Sequence, residues 1–410
     1  MQELLWLLLP VAAASGWYFA NHSRTDDGGL RKSLRNGRQR LSPEYFRGLN
    51  YLLNEQPDKA TDVFVKMLDV DSETVETHLA VGNLFRQRGE VERAIRIHQN
   101  LVERSNLRDS ERFAAVLELG RDYKRAGLLD RAEQYLNQIV DVPGFGEEAL
   151  TLLQNIYQQE REWENAIETA RRIQKKKKID LSSTIAHYFC ELAEEARLRR
   201  DPDRAMDFLR QAAHTQANCV RVSILTGQLY AEMAEYEKAI AVFKRVGDQD
   251  PSYLSEVVEA MVECYYRLDR LPEMADYLQR KLLECGHPTL VVLTADLLMQ
   301  QHGDQAAAIF IAHHVSRYPS LASLAQLVDL SLAKVSGEVR DTLRVMRKAL
   351  DALLENRPRY RCQQCGFSSK RIYWLCPTCN TWNAMRPVDC TVLHETASHS
   401  SGSRSLKPLQ

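Results

Sequence analysis

Small, aromatic and apolar positions recur along most of this chain at an interval of 34 residues. Within each stretch a glycine is followed three residues later by an aromatic or apolar residue and twelve residues later by an alanine. The clearest sets are Gly48, Tyr51, Ala60 and Phe64; Gly82, Phe85, Ala94 and His98; Gly120, Tyr123, Ala132 and Leu136; and Gly227, Tyr230, Ala239 and Phe243. Weaker sets are centred on Tyr157 and Ala166, Ala193 and Ala205, Tyr265 and Met274, and Leu297 and Ala306, and a further pair of helices is predicted from about Leu321 to Leu354. Because the chain holds only 18 Gly and 13 Pro, the pattern predicts consecutive pairs of α-helices.

The residue types at these positions have a mechanical reason. A small residue lets the first helix of a pair lie close to its partner, the aromatic residue fills the gap between helices, and the alanine lets the second helix approach. One pair cannot bury its apolar face alone, so the pairs must stack on one another. The pattern resembles the tetratricopeptide repeat, with about nine units over residues 43–354. A helical bundle without repeats is the alternative, and the regular spacing argues against it.

This resemblance implies a groove lined by the first helix of each pair. The side chains predicted to line it are Asn83, Arg86, Arg121, Lys124, Arg221 and Gln228. Several are basic or carry an amide, which would suit an acidic or extended peptide. Each could equally be an ordinary solvated residue. The full set of Lys and Asn positions with which some repeats clamp a terminal carboxylate is not present, so that specificity is not carried over.

The chain begins with an apolar segment that bears no charge between Glu3 and Arg24, a run of 20 residues. About 20 apolar residues are needed to cross a bilayer core of ~30 Å, and Trp17 and Tyr18 stand where interfacial aromatics belong. A cleaved signal peptide is one alternative, because alanines 12 to 14 contain a small-residue pattern. The first residues, however, carry Glu3 and no Lys or Arg, whereas signal peptides have a basic start. A peripheral or buried helix is the other alternative. We predict a transmembrane anchor over residues 1–23.

The segment after the anchor is polar and rich in arginine. Its arginines and lysines outnumber its acidic residues, so the positive-inside rule places the bulk of the chain in the cytoplasm of a cell with an inner membrane. Glycines 28, 29 and 37 make residues 24–42 typical of a flexible tether.

Four of the nine cysteines form two C-x-x-C pairs near the C-terminus. Cys362 and Cys365 are separated from Cys376 and Cys379 by ten residues. Pairs this close in a large chain are typical of metal ligands rather than disulfides. Two facing pairs complete a tetrahedral four-sulfur site, suited to one Fe or Zn²⁺ ion. Four thiolates leave no position for an activated water, which argues against hydrolytic catalysis and leaves structural and electron-transfer roles.

Residues 355–390 resemble a rubredoxin-type pair of knuckles or a short zinc ribbon. With so few residues between the pairs, we expect this module to dock on the last helices of the repeats. The aromatic residues expected to pack there are Tyr360, Phe367, Tyr373 and Trp374, and the cysteines outside the pattern are Cys190, Cys219, Cys264 and Cys285, predicted as core residues, and Cys390, predicted as a free thiol. The Ser-rich tail, residues 391–410, is predicted to be disordered.

Charge and motifs limit the functional classes. The chain has 54 Lys and Arg against 55 Asp and Glu, so it is not a basic nucleic-acid binder as a whole. Arg171, Arg172 and Lys175 to Lys178 form a basic run, which we interpret as a solvated helix end, with nucleic acid or anionic lipid as the alternative ligands. We find no phosphate-binding loop, dinucleotide fingerprint or zinc-protease motif in the sequence. The sequence therefore predicts an all-α protein that is not an enzyme.

Several strings resemble a known family: Gly82–Arg86, Arg88–Glu90, Arg93–Gln99 and Pro358–Cys362. Together with the order of anchor, repeats and metal module, they resemble the lipopolysaccharide assembly protein B family over nearly the full chain. The resemblance implies a single-pass inner-membrane adaptor, facing the cytoplasm, that regulates lipopolysaccharide synthesis. Its implied partners are the FtsH protease, the LpxC deacetylase and other lipopolysaccharide-assembly membrane proteins, with a homo-oligomer also compatible. An iron-bearing electron-transfer protein and a general scaffold for envelope assembly are the alternatives.

Overall fold

The computed structural model describes Arg47, Asn50, Tyr51, Lys59, Val63 and residues 75–285, 288–317, 320–355 and 357–388. The predicted anchor, the tether, Cys390 and the C-terminal tail lie outside these residues, as does most of the first predicted repeat. Among the helices that are described, none is both long enough and apolar enough to span a membrane.

The chain divides into two compact units, Met1–Gly146 and Glu147–Gln410. The described helices of the first unit are α1 (Val75–Gln87), α2 (Val91–Val102), α3 (Asp109–Arg125) and α4 (Leu129–Asn137). The helices of the second unit are α5 (Gly146–Glu160), α6 (Trp163–Lys177), α7 (Ser182–Leu198), α8 (Pro202–Thr215), α9 (Val220–Glu232), α10 (Tyr236–Gln249), α11 (Leu254–Arg267), α12 (Leu271–Cys285), α13 (Pro288–His302), α14 (Asp304–Arg317), α15 (Leu321–Leu332) and α16 (Glu338–Glu355). These are the predicted helical pairs, and odd-numbered helices come first in each pair.

Glycines in the first helices allow close packing, as the sequence predicts. A Cβ atom on Gly227 would lie 2.4 Å from Cε1 of Phe243, and one on Gly82 would lie 2.3 Å from Nε2 of His98. Both partners come from the fourth position of the repeat pattern. Only glycine fits at these crossings without displacing a buried ring.

The second helix of each pair approaches through its fourth residue. That residue is fully or almost fully buried in the seven pairs before the last: Ala94, Ala132, Ala166, Ala205, Ala239, Met274 and Ala307. The sequence pattern pointed to Ala306 in the seventh pair, which was wrong by one residue. Helix α14 begins 68 residues after α10, one more than the interval that had been assumed, and this shifts the contact to Ala307.

Each pair turns through a residue with a left-handed backbone. Four of these turn residues are glycine, and the other four are Arg161, Arg200, Ala234 and Asp269, with φ between 55° and 61°. This conformation ends the first helix and reverses the chain within a few residues.

A three-stranded antiparallel sheet follows α16. Its strands are β1 (Tyr360–Cys362), β2 (Ser368–Ser369) and β3 (Met385–Pro387), in the order β2-β1-β3. Tyr360 pairs with Ser369 on one side and Pro387 on the other. We call residues 360–388 the metal module.

Candidate metal centre and its docking face

The four predicted cysteine ligands converge on one point. The Sγ atoms of Cys362, Cys365, Cys376 and Cys379 all lie within 4.8 Å of one another. The Cys362–Cys379 pair is 3.7 Å apart and the Cys365–Cys376 pair 3.6 Å. A metal with bonds of about 2.3 Å to four sulfurs requires sulfur–sulfur separations of about 3.8 Å in a tetrahedron. The donor set and its spacing therefore fit one Zn²⁺ or Fe ion, and all four residues would be its ligands.

Two similar backbone turns carry these thiols. The N–H of Gly366 donates to the carbonyl of Cys362 at 3.0 Å, and the N–H of Asn380 donates to that of Cys376 at 2.9 Å. Gly366 and Asn380 both have a positive φ, of 77° and 52°. The asparagine that replaces glycine in the second turn thus adopts the same left-handed conformation.

Polar groups around the turns favour the thiolate that a metal needs. The side chain and backbone N–H of Thr381 lower the pKa of the Cys379 thiol to about 6, with a further contribution from the neighbouring cysteines. Thiols so close together lose their protons as a coupled set. The site is therefore prepared for a cation.

Trp382 is the main anchor of the module on the helices. Its Nε1 donates to Oε1 of Gln158 in α5 at 2.8 Å. Its ring stacks on His187 of α7 with centroids 5.1 Å apart and packs edge-on against Tyr188 at 5.6 Å. One side chain thus joins the module to the first helices of two consecutive pairs.

Trp374 makes the matching contact further along the same face. Its ring stacks on Tyr253, which precedes α11, with centroids 5.6 Å apart. On another side it meets His187 at 5.8 Å, and the guanidinium of Arg221 in α9 lies 5.6 Å from its centroid. Arg221 is only 2% exposed and pairs with Glu191 at 2.8 Å and with Glu194.

Three polar contacts secure the sheet itself. The hydroxyl of Tyr253 donates to the carbonyl of Met385 at 2.8 Å, and that of Tyr360 donates to Glu256 at 2.6 Å. Arg386 pairs with Asp250 at 2.5 Å. With the two tryptophans, they fix the module across α5, α7, α9 and the start of α11.

The expectation that the module docks on the last helices is wrong in its main part. Tyr360 and Trp374 do pack on helices, but on earlier ones, whereas Phe367 packs within the module and Tyr373 is 42% exposed. The anchor that the sequence did not single out is Trp382. A tryptophan three residues after the last ligand, in a module too small to bury it, was the available signal.

All six predicted groove residues lie on first helices, and most make contacts within the chain. The contacts are Asn83 with Arg86 at 2.6 Å, Arg121 with Glu118, Gln228 with Arg197 at 3.4 Å, and Arg221 with Glu191 and Glu194 below Trp374. Lys124 is half-buried, and burial lowers its pKa. Their role in binding a partner stays a prediction, and Arg221 contacts the chain's own module instead of solvent.

A buried polar network in the first unit was not apparent from sequence. Arg86 pairs with Glu118 at 2.6 Å and with Asp122 at 2.8 Å. Asp122 also lies 2.5 Å from Nδ1 of His98, and both of these residues are fully buried. The network joins α1, α2 and α3 and gives Arg86 a structural role.

Comparisons with known proteins agree with this architecture. Residues 360–387 match the family described as rubredoxin metal binding domain, and residues 77–112 and 149–178 match the tetratricopeptide repeat. The chain is 41% identical to lipopolysaccharide assembly protein B of Escherichia coli strain K12 over 389 residues, covering 95% of this chain and 98% of that protein. It is 32% identical to the protein of the same name from Haemophilus influenzae, with the same coverage. Among solved structures, a complex of Naa15 and Naa10 with HypK aligns at 14% identity and a TM-score of 0.42, covering 76% of this chain and 46% of that one.

Proposed function

Because this chain belongs to the lipopolysaccharide assembly protein B family, we propose that it is a scaffold for lipopolysaccharide assembly rather than an enzyme. In this proposal it is anchored in the inner membrane and holds the LpxC deacetylase near the FtsH protease. Degradation of the deacetylase then limits lipopolysaccharide synthesis. The relatives' names support the process, and the repeats support a role in binding proteins.

The observation that carries the proposal is the docking of the metal module across consecutive repeats. Stacked repeats contact only their neighbours, so their relative angles are soft. Here the module contacts α5, α7, α9 and α11 at once through Trp382, Trp374 and Tyr360. A metal that holds both cysteine turns would make the module rigid, and the module would then hold the four helices at fixed angles. A client surface built on these helices would depend on the metal without touching it.

The proposed anchor supplies the second part of the mechanism. Tethering confines the scaffold to the membrane where the protease sits, so a weakly held client meets it at a high effective concentration. Weak binding is then sufficient for efficient delivery.

The test is the cellular half-life of the deacetylase in cells depleted of this protein. We expect a long half-life on depletion, restored by the full chain but not by a form lacking residues 1–23. A half-life that does not change on depletion would remove the adaptor function. A half-life restored by the truncated form would remove only the membrane tether.

The role of the module is tested with two further changes. Cys376→Ser removes a ligand, and Trp382→Ala removes the docking anchor while leaving all four cysteines. The matched control is Tyr373→Ala, an exposed aromatic residue of the same module. We expect both changes, but not the control, to lengthen the half-life. Normal regulation by a soluble, full-length Trp382→Ala protein would show that docking is not required.

A further inference from the structure

Two buried cysteines lie close to the docked module but outside the metal centre. Cys190 is in α7 and is fully buried, whereas Cys219 immediately precedes α9 and is 7% exposed. Both are free thiols, and they are in hydrogen-bonding contact with each other. The first helices of two consecutive repeats therefore meet at a pair of sulfur atoms.

The surroundings of Cys219 favour its ionised form. It occupies the N-cap position of α9, with the backbone N–H groups of Arg221 and Val222 directed at its thiol. The contact with Cys190, these N–H groups and the charge of Arg221 lower the pKa of Cys219 to about 7. Cysteines at helix N-termini beside a cation are the reactive ones in proteins.

Cys190 has the complementary properties. Burial raises the pKa of its thiol well above the ordinary value, so it remains protonated and unreactive by itself. It lies next to Cys219, where a second thiol can resolve an oxidised sulfur.

The buried Arg221 connects this pair with the module. Its guanidinium is close enough to both sulfurs to act on their ionisation, and it lies against the ring of Trp374. Among the described residues, its Nε has no hydrogen-bond partner. The cation is therefore not fully engaged by its two glutamates.

We propose that Cys190 and Cys219 are a reversible redox pair that hydroperoxides oxidise to a disulfide between α7 and α9. The Cys219 thiolate attacks one peroxide oxygen, which breaks the O–O bond, forms a sulfenic acid and, with one proton, releases water. The sulfur of Cys190 then attacks the sulfenic sulfur, and the departing hydroxide takes the Cys190 proton to give a second water. Two thiols and one hydrogen peroxide thus give one disulfide and two waters, and a dithiol reverses the reaction. The bond would link two helices that the module also joins.

The experiment uses the purified full-length, metal-loaded chain and hydrogen peroxide. After treatment, free thiols are blocked by alkylation, and the protein is digested with trypsin. Cys190 lies in the fragment 179–197 and Cys219 in the fragment 211–221, and each fragment contains one cysteine. We expect a cross-linked species of these two fragments after oxidation, its loss after dithiothreitol, and loss of alkylation at both cysteines.

Matched variants separate this pair from the other thiols. Cys219→Ser should abolish the cross-link, and Cys190→Ser should leave a sulfenic acid on Cys219 that dimedone traps. Cys264→Ser removes another buried cysteine, which is 1% exposed, and should leave the cross-link unchanged. A chromogenic chelator reports oxidation of the metal ligands in the same samples. If Cys219 stays fully alkylated while the metal ligands oxidise and release their ion, the proposal is wrong.

Discussion

His187 should make the stability of the docked module depend on pH. The ring is fully buried and lies between Trp382 and Trp374, with centroid distances of 5.1 and 5.8 Å. Among the described residues, neither ring nitrogen has a hydrogen-bond partner. Burial, together with the charge of Arg221, lowers the pKa of His187 to about 3. The folded protein therefore holds a neutral imidazole at every pH at which it is used.

The sign and size of the effect follow from proton linkage. An unfolded histidine has a pKa of about 6.5, so below that pH the unfolded chain binds a proton that the folded chain cannot bind. Stability from this residue is complete above pH 6.5 and is lost as the pH falls toward 3. Between pH 7.5 and pH 5.5 the protonation of the unfolded state alone changes the unfolding constant about tenfold, or about 1.4 kcal/mol.

The perturbation is His187→Phe, which keeps an aromatic ring between the tryptophans and removes the titration. Urea unfolding followed by tryptophan fluorescence reports on this interface, since Trp163, Trp374 and Trp382 all lie near His187 or its neighbour Tyr188. We expect the wild type to lose about 1.4 kcal/mol more than the variant between the two pH values. The cysteine thiols titrate in both proteins, so their contribution cancels in the difference.

The control is His302→Phe, because His302 is an exposed residue at the end of α13. It should retain the pH dependence of the wild type. Equal pH dependence in the wild type and in His187→Phe would refute the reasoning, since it would mean that the folded protein accepts the proton at this site.

Three further changes test the packing rules of the repeats and the module. Gly227→Ala should destabilise the second unit by about 1–3 kcal/mol, because the new Cβ would lie 2.4 Å from the buried ring of Phe243; an unchanged melting temperature would contradict this. Ala234→Gly should raise stability by about 0.5–1 kcal/mol, because the exposed alanine holds a φ of 61° that glycine adopts without strain; the comparison is Gly89→Ala, which should lower it. Tyr253→Phe leaves the buried carbonyl of Met385 without its hydroxyl donor, so we expect about 1–3 kcal/mol less protection of β3 against hydrogen exchange, and equal protection would show that the bond contributes nothing.

Local features of the structure could be predicted from sequence because their causes are local. The Gly227–Phe243 crossing and the buried Ala239 depend on residues within one helical pair, so their spacing alone reveals them. The same holds for the cysteine turns, where each C-x-x-C segment forms its own hydrogen bonds. The single error of register, Ala306 for Ala307, arose where one added residue broke the interval.

The docking of the module could not be found in this way. Trp382 meets Gln158 across 224 residues of sequence, and Tyr253 meets Met385 across 132. Such pairs leave no period in the sequence, because the stacking angle of several repeats decides which residues face each other. Only the residue types gave a hint: two tryptophans lie in a module whose buried core consists of five residues, Tyr360, Cys362, Cys376, Ala384 and Met385.

That small core also explains why the metal and the docking face belong together. Five buried residues are too few to hold a fold of about thirty residues, which ordinarily requires a metal or a supporting surface. Here both are present in the design: four thiolates inside, and Trp374, Trp382 and Tyr360 outside. Binding energies at two sites that stabilise the same folded module are linked, so each strengthens the other. The helices therefore raise the module's affinity for its metal, and the metal in turn raises the module's affinity for the helices.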